Sequence, residues 1–237
     1  MKAVILAGGI GTRLAPYTTI LPKPLLPLGN IPILEIILYQ LKYYGFSDVT
    51  IACGYLAELI RAYLMNNRIS KELTIHYHRE DKPLGTAGAL ASIDGLDEPF
   101  LVMNGDILTT INYSKLLQYH RDKKPILTIA ITKKKIQIDL GVLRLDDNNN
   151  IIGYDEKPVK EFPASTGIYL YDPQVLNFIE PNTYLDFPPL VLRLIKAGET
   201  VLGCPTDAFW LDMGNKDDYQ KAVKEFEENR SKFHIDN

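Results

Sequence analysis

The sequence predicts an α/β chain, a Rossmann-like three-layer sandwich around a mostly parallel sheet, and three observations carry that prediction. Apolar runs of strand length alternate with helix-period segments through the first half of the chain. The first such run opens directly into Gly8-Gly9-Ile10-Gly11. Another, at 100–103, is followed at once by Asn104-Gly105-Asp106, at the carboxyl end of a strand, where open α/β sheets bind ligands.

Taken in order, residues 3–7 form a buried strand and residues 33–44 an amphipathic helix closed by Gly45 at its C-terminus. Strands at 49–53 and 73–78 flank a helix at 57–65, and a short helix at 85–92 precedes the strand at 100–103. The second half departs from strict alternation. Strands are expected at 126–132, 141–145 and 151–154, with 146–150 (Asp-Asp-Asn-Asn-Asn) as the hairpin turn, which predicts a small antiparallel insertion. A strand at 165–171, helices at 173–179 and 187–197, and short strands at 201–204 and 209–211 follow. Asn215 can cap a last helix in which Tyr219, Ala222, Val223, Phe226 and Asn229 form a stripe that packs on the core or on a partner.

Composition bounds the function. At 237 residues with 46% hydrophobic residues, the chain has material for one large domain with a buried core. Cys53 and Cys204 sit in apolar strand contexts without CxxC spacing, so they read as buried free thiols of a reducing compartment. The N-terminal apolar run is too short for a signal peptide and no stretch approaches a membrane span, so a cytoplasmic location and no membrane partner are expected. A net charge of −3 gives no global basic field, and Lys133-Lys134-Lys135 reads as a solvated turn, so nucleic acid is not an expected partner.

The opening segment carries the chemistry. Glycines at 8, 9 and 11 allow backbone N–H groups to approach an anion closely. Thr12 adds a hydroxyl and Arg13 a planar fork suited to phosphate oxygens, while Lys23, bracketed by Pro22 and Pro24, presents a compact charge from a stiff segment. No acid precedes Glu35, whereas Lys2, Arg13 and Lys23 all do, so the segment suits a polyphosphate. A Walker A loop would need Gly-Lys-Ser/Thr where this one has Gly11-Thr12-Arg13. A dinucleotide fingerprint would need a third glycine where Leu14 stands and an acid about 20 residues on. His76 and His78 share a strand face without further ligands and read as polar surface residues rather than a metal site. Asp106 and Asp212, each after a strand, read equally as turn or capping residues when taken alone.

The stretch GGIGTRLAPYTTILPKPLLPLG resembles the signature loop of the sugar-phosphate nucleotidyltransferases, which make nucleotide-activated sugars. EDKPLGTAGAL at 80–90, LVMNGDIL at 101–108, DEKP at 155–158, TGIY at 166–169 and WLDMG at 210–214 follow in that family's order, so the resemblance covers nearly the whole chain. It implies one catalytic domain over 1–237: a mainly nucleotide-binding half at 1–110, a mainly sugar-binding half at 111–214 that includes the antiparallel insertion, and a C-terminal helix and tail. It implies that Arg13 and Lys23 are catalytic, and that Leu6, Ala7, Gly8, Gly9, Gly11, Thr12, Arg13, Glu80, Pro83, Gly85 and Thr86 hold the nucleotide. Asn104, Gly141, Glu156, Lys157, Thr166 and Gly167 would hold the sugar phosphate, and Asp106 and Asp212 would share Mg²⁺. Substrates would be a nucleoside triphosphate and a sugar 1-phosphate, and a dimer or tetramer is common among such enzymes.

The attacking sugar phosphate is already an anion at neutral pH, so the reaction needs cations and N–H donors rather than a general base. Glu80 can accept from guanine N1–H and N2–H₂ but repels uracil or thymine carbonyls, and KPLGTAGAL looks most like the mannose-1-phosphate guanylyltransferases; both favour GTP with mannose or a related hexose or heptose. The resemblance departs at Asn215-Lys216, where Thr-Pro is often found. Two other readings of the same features are a non-catalytic nucleotide-sugar sensor, which could dispense with the metal acids, and a glycosyltransferase, whose DxD would need an acid at Asn104.

Overall fold

In the computed structural model, which describes residues 1–80 and 82–235, the chain runs through β1 (Lys2–Ala7), β2 (Pro27–Leu28), β3 (Ile31–Pro32), α1 (Ile33–Tyr43), β4 (Asp48–Cys53), α2 (Ala57–Met65), β5 (Thr74–Arg79) and α3 (Gly85–Gly88). It continues through β6 (Phe100–Asn104), β7 (Ile107–Thr109), α4 (Tyr113–Lys123), β8 (Leu127–Gln137), β9 (Val142–Leu145), β10 (Ile151–Asp155) and β11 (Val159–Tyr171). Last come α5 (Phe187–Lys196), β12 (Val201–Pro205), β13 (Trp210–Asp212) and α6 (Lys216–Glu228).

Seven strands form the central sheet in the order β12-β8-β11-β6-β1-β4-β5. β1 is parallel to both neighbours, β4 is parallel to β5, and β12 to β8; β11 is antiparallel to β6 and to β8. Hence β11 alone of the seven runs against the rest. The alternation of side chains along each strand supplies two cores. Ala3, Ile5, Val49, Ile51, Leu101 and Met103 face α1, α2, α4 and α6, whereas Val4, Ala52, Phe100 and Val102 face α3 and α5. This is the expected three-layer sandwich, and α1 is enclosed rather than one-faced, with every residue from Ile33 to Leu41 buried, Glu35 and Gln40 included. Its end is a Schellman turn: Gly45, at φ +81°, donates to Lys42 O and Phe46 donates to Leu41 O.

The chain steps outward from β1 to β4 and β5, then returns to pair β6 with the other side of β1. That reversal places the crevice for a ligand at the carboxyl ends of β1 and β6, which open into the glycine loop and into Asn104-Gly105-Asp106.

Several elements differ from expectation. Helix α4 has no counterpart among the expected elements, although Asn112 caps it and Tyr113, Leu116, Leu117 and His120 are its buried stripe. The helical segment expected at 173–179 is a 3₁₀ helix over Pro173–Phe178, because the six residues between the Asp172 cap and Ile179 are too few for a stable α-helix. Lys133–Lys135 are not a turn: β8 runs on to Gln137, paired with β11 down to Val159, and both leave the sheet as a two-stranded ribbon. The ribbon is solvated on both faces, so it lacks the apolar alternation that marks a half-buried strand. At its end β9 and β10 form the expected hairpin, with the Asp146 carboxylate accepting from the Asn148 and Asn150 amides. Cys53 is buried as expected, and burial pushes its thiol up to about 12; Cys204 is half-buried. Among the described residues, no helix is long and apolar enough to cross a membrane.

Candidate active site

A cleft of about 560 Å³ opens at the carboxyl ends of β1 and β6. Leu6, Ala7, Gly8, Gly9, Lys23, Glu80, Pro83, Gly85, Thr86, Asn104 and Asp106 line it, which brings most of the nucleotide-side residues named from sequence around one space. The loops that frame it are tightly apposed. Gly105 donates to Leu6 O at 2.9 Å, and a Cβ on Gly54 would stand 3.0 Å from Gly8 O. Gly11 is left-handed at φ +69°; its carbonyl accepts from the Thr18 hydroxyl at 2.8 Å, which folds the segment back towards Lys23.

One end of the cleft gathers charge. The Lys23 ammonium donates to Asp106 Oδ2 and lies 3.8 Å from Asp212 Oδ1. Asp106 and Asp212 are 106 residues apart in sequence and meet because β7 and β13 pair antiparallel, Asp212 opposite Ile107, with Met213 N donating to Asp106 O at 3.1 Å. Burial pushes the Asp212 carboxyl above the usual carboxylate range and the Asp106 charge adds to this, against the opposing fields of Lys23 and Arg13. Asp212 Oδ1 is buried and accepts no hydrogen bond. An unmatched carboxylate oxygen beside a second carboxylate fits a hard divalent cation whose remaining ligands are phosphate oxygens and water. Arg13 is exposed and rests near Gly214, whose Cβ would stand 3.5 Å from a guanidinium nitrogen, so it borders this end without lining the cleft. Thr12 is likewise exposed on the loop.

Glu80 and the 84–88 loop occupy another part of the cleft. Glu80 Oε2 accepts from Leu84 N at 2.7 Å, which leaves Oε1 turned towards the glycine loop, 3.6 Å from where a Gly8 Cβ would be. Gly85 has φ +78°, and a Cβ there would meet Leu185 O at 2.6 Å; one on Gly88 would meet Thr183 O at 2.5 Å. Only glycine admits this contact. Thr86 spends its hydroxyl within the protein, donating to Asp186 Oδ1 at 3.4 Å and accepting from Phe187 N at 2.8 Å.

The residues expected on the sugar side are dispersed. Asn104 lines the cleft and touches Gly167, which sits at a bulge of β11 with φ +73°; a Cβ on Gly167 would lie 2.8 Å from Asn104 Nδ2. Thr166 is buried and donates to Ala130 O at 2.8 Å, while its carbonyl accepts from Trp210 Nε1 at 2.7 Å. Gly141, Glu156 and Lys157 lie around the hairpin and do not line this cleft. There the Tyr154 hydroxyl donates to Glu156 Oε2 at 3.0 Å and covers Gly141 so closely that a Cβ would overlap it. Lys157 is left-handed at φ +45°. His76 faces Asp48 at 3.3 Å and His78 faces Ser92 at 2.9 Å, away from the charged end.

Sequence reasoning did not single out Tyr55, Tyr184 or Asp186. Tyr55 and Tyr184 line the cleft, and Asp186 holds Thr86. The available signal was Asn182-Thr183-Tyr184-Leu185-Asp186 before a proline-rich helix start, a loop that offers an aromatic at a helix N-terminus.

Comparison with known proteins places this geometry. Residues 2–229 match the nucleotidyl transferase family. Among curated relatives, the probable mannose-1-phosphate guanylyltransferase 1 of Oryza sativa subsp. japonica is 34% identical over 94% of this chain and 64% of its own length. The UTP–glucose-1-phosphate uridylyltransferase of Synechocystis sp. is 32% identical over 94% of this chain and 63% of its own length. The chain thus spans 63–64% of the length of these curated relatives. A putative glucose-1-phosphate thymidylyltransferase from Bacillus anthracis, whose crystal structure contains a sucrose, superposes with a TM-score of 0.76 at 26% identity, covering 100% of this chain and 97% of that one. With the glycine loop, the Lys23 segment and both carboxylates inside the matched span, the chain belongs to the nucleotidyl transferase family.

Proposed function

We propose that the chain transfers a nucleotidyl group from a nucleoside triphosphate to a sugar 1-phosphate, releasing pyrophosphate, with GTP and mannose 1-phosphate or a related hexose or heptose 1-phosphate as substrates. The observation that carries this is the convergence of Lys23, Asp106 and Asp212 at the carboxyl ends of β1 and β6, beside the glycine loop. A phosphate oxygen of the sugar substrate attacks the α-phosphorus, a new P–O bond forms, and the bond to the β-phosphate oxygen breaks as pyrophosphate leaves. The Lys23 ammonium neutralises the two reacting phosphates, whose mutual repulsion is the main barrier to the encounter. Arg13 offsets charge on the departing pyrophosphate, and the Gly8, Gly9 and Gly11 amides hold its oxygens. Asp106 and Asp212 would hold Mg²⁺, which when bound supplies further charge neutralisation at the phosphate oxygens.

For the base, Glu80 Oε1 stays available after Oε2 takes the Leu84 amide, and it accepts from a guanine N–H. The guanylyltransferase among the relatives supports the same choice, and the uridylyltransferase supplies the competitor to be measured. On the sugar side we assign the sugar hydroxyls to Glu156 and the sugar phosphate to Lys157, both carried on the hairpin outside the cleft lining. Pyrophosphate release assayed across GTP, UTP, dTTP, ATP and CTP with mannose, glucose and heptose 1-phosphates is expected to peak for GTP with a mannose-type sugar. No turnover with any pair would sink the reading in favour of a sensor, and sugar transfer to an acceptor without pyrophosphate would favour a glycosyltransferase.

A further inference from the structure

Tyr184 has no part in the chemistry proposed above, yet it lines the same cleft as Glu80, Pro83 and Gly85. It is 61% exposed, and among the described residues no other ring packs on it. Its position is nevertheless fixed, because its hydroxyl donates to Asp186 Oδ2 at 2.6 Å. Asp186 stands at the N-terminus of α5 but caps none of that helix's amides with its side chain. Its other oxygen accepts from the Thr86 amide at 3.2 Å, and Thr86 caps Phe187 N in its place. The neighbouring backbone is tied as closely. Leu185 N donates to Leu84 O at 2.8 Å, and Ala87 N and Gly88 N both donate to Leu185 O at 2.9 Å. Tyr184 and the 84–88 loop are therefore one rigid unit whose exposed part is a bare aromatic ring.

We infer that Tyr184 is a base-binding residue, whose ring packs against the heteroaromatic base of the nucleotide while Glu80 and the 83–86 backbone take its polar edge. The inference rests on the nucleotidyltransferase reading. A ring already held by Asp186 loses little rotamer freedom on engagement, so the contact is realised nearly in full. The same carboxylate raises the Tyr184 phenol above its ordinary range, so the hydroxyl remains the donor that fixes the ring. A ring face binds every base but overlaps a purine more than a pyrimidine, so Tyr184 adds preference for the larger base to whatever Glu80 reads.

Isothermal titration of the full chain with GTP, UTP and inorganic pyrophosphate, each with magnesium chloride, tests this. Tyr184→Ala is expected to weaken GTP binding by roughly ten-fold and UTP by about three-fold, the size of a lost stacked base, and to leave pyrophosphate binding within about two-fold. Tyr184→Phe, which keeps the ring, is expected to stay within about three-fold of wild type for GTP. In steady state the Ala variant would raise KM for the triphosphate and leave kcat and the KM for sugar phosphate nearly unchanged. Unchanged GTP affinity in the Ala variant, or equal loss of GTP and pyrophosphate, would overturn the inference. Wild-type protein that binds GTP without turning over any substrate pair would sink the catalytic reading alone, and the same titrations would still decide the role of Tyr184.

Discussion

The two regions assigned to the phosphates and to the sugar are built in different ways. The phosphate end is set on the carboxyl ends of two central strands, with Lys23 only 11% exposed and paired to Asp106, and with the β7–β13 ladder fixing Asp212 beside them. The sugar-side groups Gly141, Glu156 and Lys157 ride on a hairpin at the end of a solvated ribbon, where Leu143, Leu145, Ile151 and Tyr154 are all exposed. The charge proposed to meet the transition state is held by the sheet; the groups proposed to read the sugar sit on an extension with few packing constraints. That contrast predicts that changes at the phosphate end act on kcat, and changes on the hairpin act on the sugar KM.

The largest effect is expected at Lys23. Lys23→Met keeps the aliphatic stem and removes the charge proposed to meet the reacting phosphates, so kcat/KM should fall by about 10³ or more, mostly in kcat. Asp106→Asn should do the same by weakening the cation site. Pyrophosphate-release kinetics would measure both. Near-wild-type kcat in either variant would move the reaction centre away from this end and erase the contrast.

Next is the seam between the 84–88 loop and the 183–187 segment. Gly88→Ala puts a Cβ 2.5 Å from Thr183 O, backbone that cannot turn aside, and Gly85→Ala adds a left-handed φ to a similar clash. Each should cost about 2–4 kcal/mol of stability, read as a lower thermal midpoint, and should raise the triphosphate KM. Full stability in both would show that this seam opens freely.

The legibility of these regions differs for physical reasons. β1, its glycine loop and Lys23 were readable because their signals are local: an apolar strand, residues free of a Cβ, and a lysine between prolines. The meeting of Asp106 with Asp212 was available only through the family resemblance, since the strands that join them have three residues each and no pattern. Helix α4 was lost because its buried stripe uses Tyr113 and His120 beside Leu116 and Leu117, among Lys115, Arg121 and Lys123 on the outside. The ribbon read as a turn at Lys133–Lys135 because a strand wet on both faces shows no alternation. Asp186, 100 residues from Thr86, carries no local mark of its partner.

On the hairpin the expected effects are smaller and confined to one substrate. Glu156→Ala should raise the sugar-phosphate KM by about ten-fold, the scale of a lost charged hydrogen bond, with triphosphate affinity unchanged by titration. Tyr154→Phe, which removes only the donor to Glu156, should raise it by about two- to three-fold. An equal fall in triphosphate affinity would mean that the hairpin and the phosphate end act as one body.

The smallest effect is one of sign, and it separates function from stability at Asp212. Burial and the Asp106 charge raise its carboxyl in the folded protein, so the folded state holds that proton more tightly than the unfolded chain does. Between the ordinary carboxylate pKa and the raised one the native state binds more protons, and stability therefore falls as pH rises through that window and stays lower above it. Asp212→Asn removes this penalty together with a proposed ligand for the cation. At neutral pH its thermal midpoint should equal or exceed that of wild type by about 1–3 °C, and the difference should close as pH is lowered towards the ordinary carboxylate range. Magnesium chloride should raise the wild-type midpoint more than that of the variant, because a bound cation would supply the partner that Asp212 Oδ1, which accepts no hydrogen bond, lacks. A variant less stable than wild type at neutral pH would mean that Lys23 and Arg13 already compensate Asp212 without a cation, and that the phosphate end is assembled for stability as much as for reaction.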